Sequence, residues 1–293
     1  MSPSIFWAYL AVFNPLFRKQ KVNHLLFVPA SRPERFAKAL NSGVSAVIID
    51  LEDAVAIDEK DHARAQLAQW LQANPQEQVL VRINALGTPW HEQDLHLCRE
   101  PNVLGVVVPK AEQPGDLQRM AQACGQALYP IIETATGLSL VRTIANTHGV
   151  ARLLFGKLDL AVDLGMDYPA PAGEDDAETV FLLARSELVL ASRAAGLDAP
   201  IDGVYTQLDD EAGLFTYARR SARFGFAGVL LVHPKQLSAV QRAYAPTATQ
   251  IDWAQRIIAA AEQSNGAAVS LDGAMVDAPV IARARNILAR ASN

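Results

Sequence analysis

Short apolar runs alternate with longer amphipathic stretches along the chain from residue 25 onward. Most of the runs are apolar at successive positions, as in the three valines at 106–108. Continuous apolar runs indicate strands that are buried on both faces of a parallel sheet. The pattern predicts eight such strands: Leu25–Pro29, Ala46–Leu51, Val79–Asn84, Gly105–Pro109, Leu128–Ile132, Leu153–Gly156, Pro200–Val204 and Gly228–Val232.

The stretches between the runs have helical periodicity. Ala63, Leu67 and Leu71, for example, recur at a spacing of four and would form one apolar face. We predict helices at Pro33–Leu40, Asp58–Leu71, Asp116–Cys124, Leu138–Thr147, Glu178–Ala195, Glu211–Phe224 and Lys235–Tyr244. Eight strand–helix units favour an α/β fold of the (β/α)8 or TIM-barrel type. An open doubly wound sheet is the alternative, but no GxGxxG sequence follows the first strand.

A C-terminal helical extension, residues 245–293, follows the predicted barrel at residues 22–244. It contains two further predicted helices, Asp252–Ser264 and Pro279–Ala291. A link of mostly small and polar residues at Asn265–Asp272 joins them.

Residues 1–21 form a predicted N-terminal extension with an apolar stretch from Ile5 to Phe17. Asn14 and Pro15 interrupt this stretch, which is shorter than the roughly 20 residues of a membrane span. Basic residues follow the stretch, whereas a secretory signal has them in front. Two interpretations stay open: a loosely attached segment, or an anchor for a membrane surface or a partner protein.

Composition narrows the class of protein. Half of the 293 residues are hydrophobic and 19% are charged, which excludes an intrinsically disordered chain. The net charge of −5, without a basic stripe, disfavours nucleic-acid binding. Cys98 and Cys124 form neither a CxxC motif nor a Cys/His cluster, so we expect no zinc site and no disulfide framework. A reducing, cytoplasmic location fits this cysteine usage.

Charged and polar residues close nearly every predicted strand, at the end where active sites of this fold lie. They are Arg32, Asp50, Glu52, Asp53, Arg82, Asn84, Lys110, Glu133, Lys157, Asp159, Asp202 and His233. Carboxylates that face one crevice repel one another unless a cation pairs with them. Glu133 and Asp159 lie one βα unit apart and supply only oxygen ligands, which favours Mg²⁺ or Mn²⁺ over zinc.

Each of these residues also has a purely structural interpretation. Asp53 or Thr134 could cap the helix that follows its strand, and His233 could be a turn residue. Lys110 and Lys157 could be Schiff-base nucleophiles, or they could pair with neighbouring carboxylates. The recurrence of acids and arginines at one rim favours a functional site for the set as a whole.

Eight short motifs together carry a family resemblance. They are Leu-Phe-Val-Pro-Ala (26–30) with Arg32, Ile-Asp-Leu-Glu-Asp-Ala-Val (49–55), Val-Arg-Ile-Asn-Ala (81–85), Pro-Lys-Ala (109–111), Ile-Glu-Thr-Ala (132–135), Phe-Gly-x-x-Asp-Leu (155–160), His-Pro-x-Gln (233–236) and Gly-x-Met-Val-Asp-x-Pro (273–279). From about Leu25 to its C-terminus, the chain resembles the citrate lyase β-subunit-like family, the acyl-CoA lyases of the HpcH/HpaI aldolase superfamily.

The resemblance implies a role for each matching position. Glu133 and Asp159 match the magnesium ligands, and Arg82 matches the arginine that binds the carboxylate or carbonyl oxygens of the substrate. Glu52 and Asp53 match acids that orient metal-bound water. The positions that contact substrate and CoA would be Phe27, Arg32, Lys38, Arg82, Glu133 and Leu158.

The C-terminal segment would complete the site. Asp277 matches an acidic residue on this segment, which in relatives closes as a lid over the active site of a neighbouring subunit. Family members are homotrimers that sometimes pair into hexamers, and the resemblance implies the same assembly for this chain.

The implied reaction is the reversible cleavage of a carbon–carbon bond in a 3-hydroxyacyl-CoA thioester. Citramalyl-CoA, which gives pyruvate and acetyl-CoA, is the first candidate substrate. Asp277 would protonate the departing enolate, and Arg82 would stabilise its charge. The alternatives are a malyl-CoA or methylmalyl-CoA lyase or thioesterase, a citrate lyase β subunit acting with an acyl carrier partner, a metal-free Schiff-base aldolase, and a non-catalytic barrel.

Overall fold

The computed structural model describes residues 24–168, 178–263 and 269–291. The chain divides into two compact units, of which the first ends at Ala243 and the second includes the described residues from Tyr244 onward. The predicted N-terminal extension lies outside the described residues, and the predicted domain boundaries stay predictions.

Eight parallel strands close into a barrel in the first unit, which confirms the predicted (β/α)8 fold. They are β1 (Leu25–Pro29), β2 (Ala46–Asp50), β3 (Val79–Arg82), β4 (Val103–Val108), β5 (Ala127–Ile132), β6 (Leu154–Phe155), β7 (Ile201–Asp202) and β8 (Gly228–Leu231). β6 and β7 are shorter than predicted. Gly156 already caps the helix after β6, and Pro200 has no N–H to donate to a neighbouring strand.

Helices follow the strands in the described part of the first unit. They are α1 (Phe36–Leu40), α2 (Lys60–Ala73), α3 (His91–Leu97), α4 (Pro114–Cys124), α5 (Ala135–Ser139), α6 (Val141–Ala145), α7 (Lys157–Asp163), α8 (Leu182–Ala194), α9 (Glu211–Phe224) and α10 (Leu237–Tyr244). The sequence analysis missed α3, because the polar His91 and Asp94 are buried there and no apolar period marks it. The single helix predicted at Leu138–Thr147 is wrong: α5 and α6 are separate helices that meet at Leu140.

The interior of the barrel is a packed apolar core. Each strand contributes to it, with Leu25, Ile48, Leu80, Val107, Ile131, Leu154, Ile201, Ala227 and Leu230 all buried. A filled interior leaves the rim at the carboxyl ends of the strands as the place for polar chemistry.

The described residues of the second unit form two long helices and a hairpin. Its elements are α11 (Ala248–Gln263), β9 (Val269–Leu271), β10 (Ala274–Val276) and α12 (Ala278–Ala291). The hairpin corrects the predicted link at Asn265–Asp272. Asp272 and Gly273 form its turn, with φ of +54° and +78°, and two positive φ values in succession are what an Asp-Gly hairpin turn requires. No helix in the described ranges is long and apolar enough to cross a membrane.

Candidate active site

A cavity of about 380 Å³ lies at the carboxyl ends of the barrel strands. The predicted site residues that line it are Phe27, Asp53, Arg82, Glu133, Leu158 and Asp159. Apolar side chains, among them Ile131, Phe155, Val204 and Leu230, form much of the remaining wall. One crevice therefore combines acids, a guanidinium group and apolar surface.

Glu133 directly follows β5 and is almost completely buried. Its Oε1 accepts a hydrogen bond of 2.7 Å from the backbone N–H of Lys110. Burial raises the pKa of Glu133 to about 8; the Lys110 hydrogen bond opposes this shift, and the charge of Asp159 adds to it. An ionised Glu133 is therefore costly here unless a cation lies beside it.

Asp159 reaches the same cavity from the first turn of α7. β5 pairs with β6 so that Ile132 lies opposite Phe155, which brings the residues after the two strands together. The effect of Asp159 on the pKa of Glu133 reflects this proximity. The pair thus forms because neighbouring parallel strands end at one edge of the sheet.

Two carboxylates suit a cation that keeps part of its coordination sphere for other ligands. Mg²⁺ binds proteins through one or two carboxylates and takes substrate oxygens or water for the rest. Within the described ranges, no group of three or more His, Cys, Asp or Glu residues could hold a metal ion. The residues present therefore fit Mg²⁺ and do not fit a closed, all-protein metal site.

Arg82 is held in a fixed orientation by acids from β2 and the loop that follows it. Its Nε and Nη2 donate to the two oxygens of Asp50 at 2.7 and 2.6 Å, and Nη1 lies 3.1 Å from Glu52 Oε2. Burial would lower the pKa of Arg82, but the charge and hydrogen bonds of Asp50 hold it above its ordinary value. The ring of Phe27 lies 4.8 Å from the guanidinium carbon. The sequence analysis noted Asp50 at a strand end but assigned it no role.

Glu52 lies between two cations, Arg82 and Lys110, and its Oε1 accepts from Lys110 Nζ at 3.3 Å. Burial raises the pKa of Glu52 to about 7, whereas the charge of Arg82 lowers it.

The buried Nζ of Lys60 donates to the carbonyl oxygens of Leu51 and Glu52 at 3.0 and 2.9 Å and so fixes the loop that follows β2. No sequence signal marked Lys60, because a lysine near a helix start is typical of a solvated face.

Lys110 and Lys157 are both ion-paired, which agrees with the pairing interpretation. The partner of Lys157 is Glu178, at 2.7 Å, which also accepts from Arg185 at 2.6 Å and from Tyr168 at 2.8 Å. Burial lowers the pKa of Lys157, and the charge of Glu178 opposes this shift. The ammonium group is therefore engaged with a carboxylate next to the cavity.

Arg32 does not line the cavity, contrary to the expectation that it enters the same crevice as Arg82. Its half-exposed guanidinium pairs with Glu34 at 2.8 Å instead. Lys38 lines a neighbouring groove of about 460 Å³ with Arg35 and residues of β1. Phe27 lines both the groove and the cavity.

Several strand-end residues act as caps. Thr134 Oγ1 accepts from the Gly137 N–H, and His233 accepts from the Lys235 N–H. Asp277 belongs to the second unit, where it follows β10 and its Oδ1 accepts from the Val280 N–H at 3.3 Å.

Gly156 belongs to the Phe-Gly-x-x-Asp-Leu motif, but the sequence analysis gave it no role. A Cβ atom there would lie 2.3 Å from Glu133 Oε2 and 2.5 Å from Glu133 Cβ. We expect Gly156→Ala to displace the Glu133 side chain and to lower the free energy of unfolding by about 1–3 kcal/mol, measured by urea denaturation. Gly115→Ala is the control, since a Cβ there meets only Arg119 at 3.6 Å. Equal losses in the two variants would contradict this account.

Comparisons with known proteins agree with this geometry. The model of the family described as HpcH/HpaI aldolase/citrate lyase matches residues 23–234. A citrate lyase subunit beta-like protein of Mycobacterium tuberculosis is 36% identical over 91% of this chain and 94% of its own. A (3S)-malyl-CoA thioesterase of Cereibacter sphaeroides is 34% identical over 91% and 93%. The crystal structure of CitE from M. tuberculosis with magnesium, acetoacetate and coenzyme A has a TM-score of 0.82 and 34% identity, covering 93% of this chain and 99% of that one.

Proposed function

The chain belongs to the HpcH/HpaI aldolase/citrate lyase family, and from this membership we propose that it is a Mg²⁺-dependent lyase that cleaves citramalyl-CoA to pyruvate and acetyl-CoA. The observation that carries the proposal is the pair of carboxylates, Glu133 and Asp159, beside Arg82 in one cavity. A similar structure binds magnesium and coenzyme A together, which supports the same combination of ligands in this cavity.

Glu133 and Asp159 would hold the metal. When bound, Mg²⁺ supplies a Lewis acid that makes the substrate hydroxyl more acidic. Both residues are required as carboxylates, and the raised pKa of Glu133 means that a neighbouring cation favours its charged form.

Arg82 stabilises the negative charge that develops on the thioester oxygen as the carbon–carbon bond breaks. Its two hydrogen bonds to Asp50 fix the guanidinium before the substrate arrives, so little reorganisation is needed. A fixed donor of this kind contributes about 3–4 kcal/mol to transition-state stabilisation.

Glu52 and Asp53 orient water near the metal. Glu52 Oε2 is buried and makes no hydrogen bond to the part of the chain that the structure describes, although Arg82 Nη1 lies 3.1 Å away. It can therefore accept a hydrogen bond from a water molecule. Asp53 lines the same cavity.

Asp277 is the acid that protonates the enolate carbon, and it reaches the cavity from the lid of a neighbouring subunit in a homotrimer. A carboxyl group suits this role because cleavage leaves a carbanion-like centre that needs one proton. In the condensing direction, the same group removes that proton.

The apolar part of the cavity wall supports citramalyl-CoA over its competitors. Ile131, Val204 and Leu230 offer a surface for the methyl group of pyruvate, which malyl-CoA lacks. Citryl-CoA would bring an additional carboxylate, but Arg82 serves the thioester oxygen, and Lys157, the other cation lining the described cavity, pairs with Glu178. An unpaired carboxylate against an apolar wall is costly.

A panel of CoA thioesters tests the function. With Mg²⁺, kcat/KM for citramalyl-CoA is expected to exceed that for malyl-CoA by about 10- to 200-fold, the range that one methyl group permits. Release of 2-oxo acid is the measurement, and EDTA should abolish it. Undiminished activity in EDTA, or no 2-oxo acid from any thioester, would overturn the proposal.

The thioesterase relative favours a second candidate function, hydrolysis of a malyl-CoA-type thioester. The same panel separates the two, because hydrolysis releases a free CoA thiol, whereas cleavage leaves the sulfur acylated in acetyl-CoA. A thiol reagent such as Ellman's reagent detects the first product only.

A further inference from the structure

Lys110 has an unusual backbone conformation for its residue type. Its φ is +46°, and the one other non-glycine residue with positive φ in the described ranges is Asp272, in the hairpin turn. The left-handed region is unfavourable for a residue with a Cβ atom, and lysine has no short polar side chain to offset the cost. Such conformations persist where the surrounding structure holds them, often at functional sites.

Two carboxylates contact opposite ends of this residue. The backbone N–H of Lys110 donates to Glu133 Oε1 at 2.7 Å, and its Nζ donates to Glu52 Oε1 at 3.3 Å. Glu133 follows β5 and Glu52 follows β2, so one residue after β4 connects both sides of the rim. A glycine would make the same N–H hydrogen bond without strain. The presence of lysine at this strained position therefore indicates that its side chain is needed.

We propose that Lys110 is a positioning residue, which holds the Glu52 carboxylate away from full pairing with Arg82 while its N–H fixes Glu133. This inference rests on the proposed function. Glu52 Oε2 lies 3.1 Å from Arg82 Nη1 but makes no hydrogen bond to the described residues, so the pairing is incomplete. With Lys110 present, two cations share Glu52. Without the ammonium, the carboxylate is drawn into a hydrogen bond with Nη1, the guanidinium nitrogen that Asp50 does not occupy and that the substrate needs.

Four substitutions separate the charge from the strain. Lys110→Met, Lys110→Ala and Lys110→Gly each remove the ammonium and are expected to lower kcat by about tenfold with little change in KM, whereas Lys110→Arg keeps most of the activity. Lys110→Gly should also unfold at a higher temperature than Lys110→Ala, because only glycine relieves the positive φ. Higher stability with lower activity in one variant is not expected of a merely structural lysine.

Lys235→Met is the matched control. The Lys235 side chain is 44% exposed and pairs with Asp209, as the 45% exposed Lys110 pairs with Glu52, but Asp209 is fully exposed, whereas Glu52 is buried beside Arg82. We expect wild-type kcat from this variant.

Crystal structures of the native protein and Lys110→Met provide a readout that does not depend on activity. We expect the Glu52 carboxylate to approach Arg82 in the variant, and an unchanged Glu52 position would overturn the inference. If the native protein cleaves its thioester and Lys110→Met does so with the same kcat, the inference is also overturned. If the native chain cleaves no thioester, the proposed function fails, and the position of Glu52 alone decides the inference.

Discussion

Asp159→Ala is expected to lower Mg²⁺-dependent kcat by at least about a thousandfold, which corresponds to about 4 kcal/mol of transition-state stabilisation. The reason is that one of the two carboxylates available for the cation is lost, and Glu133 alone leaves the metal weakly held. Asp159 is only partly buried in the first turn of α7, so its removal leaves no core cavity. kcat across a Mg²⁺ titration, together with Mn²⁺ binding measured by electron paramagnetic resonance, tests this directly.

Asp198→Ala is the control for this variant. Asp198 pairs with Arg152 at 3.0 Å, and the two residues precede β7 and β6, at the opposite end of the barrel from the cavity. Arg152 is buried and Asp198 is exposed, and loss of their ion pair so far from the cavity should leave kcat within about twofold of the native value. Circular dichroism should show both variants folded. Unchanged Mn²⁺ affinity in Asp159→Ala would exclude this pair of carboxylates as the metal site.

Asp277→Ala is expected to lower kcat by about 10²- to 10⁴-fold while Mn²⁺ binding stays intact, because a general acid is lost and the metal ligands are not. Stopped-flow and steady-state measurements of 2-oxo acid release give kcat, and Mn²⁺ titration gives the metal affinity. Asp272→Asn is the matched control, since it removes the charge that pairs with Arg256 in the same unit and keeps a side chain that tolerates the positive φ. If Asp277→Ala keeps its native kcat, the C-terminal segment is only structural.

Mixing subunits tests whether Asp277 serves a neighbour. Asp277→Ala and Arg82→Ala subunits are each expected to be inactive. Mixed trimers would contain some sites with a native Arg82 from one subunit and a native Asp277 from the next. Recovered activity after joint refolding supports a site shared across the interface, and no recovery would count against that arrangement.

The β9–β10 hairpin and α3 are two elements that the hydrophobic pattern of the sequence did not predict. The hairpin at β9 and β10 has an Asp-Gly turn that could have been recognised, but its strands have three residues each, too few for a clear alternation. α3 could not be predicted from apolar periodicity, because its buried face carries polar residues. Asp94 on this face accepts hydrogen bonds from the backbone and side chain of Asn84 and from Arg64.

The sequence by itself determined the barrel and the acids that lie at its rim. Strands covered by helices on one side and packed in a barrel on the other must be apolar at successive positions, and these runs can be read without coordinates. Each acid that follows such a run must then lie at the same rim, so Glu133 and Asp159 were predictable as neighbours from their places after adjacent strands.

Only the tertiary structure decided which charged groups pair with one another. Arg82 pairs with Asp50 across 32 positions, and Lys110 reaches Glu52 across 58. Lys157 pairs with Glu178 although other acids lie nearer in the sequence. An ion pair depends on distances of a few ångströms and on burial, and these arise only when the chain closes into a barrel. The positive φ of Lys110 and the space that Gly156 leaves for Glu133 have the same origin.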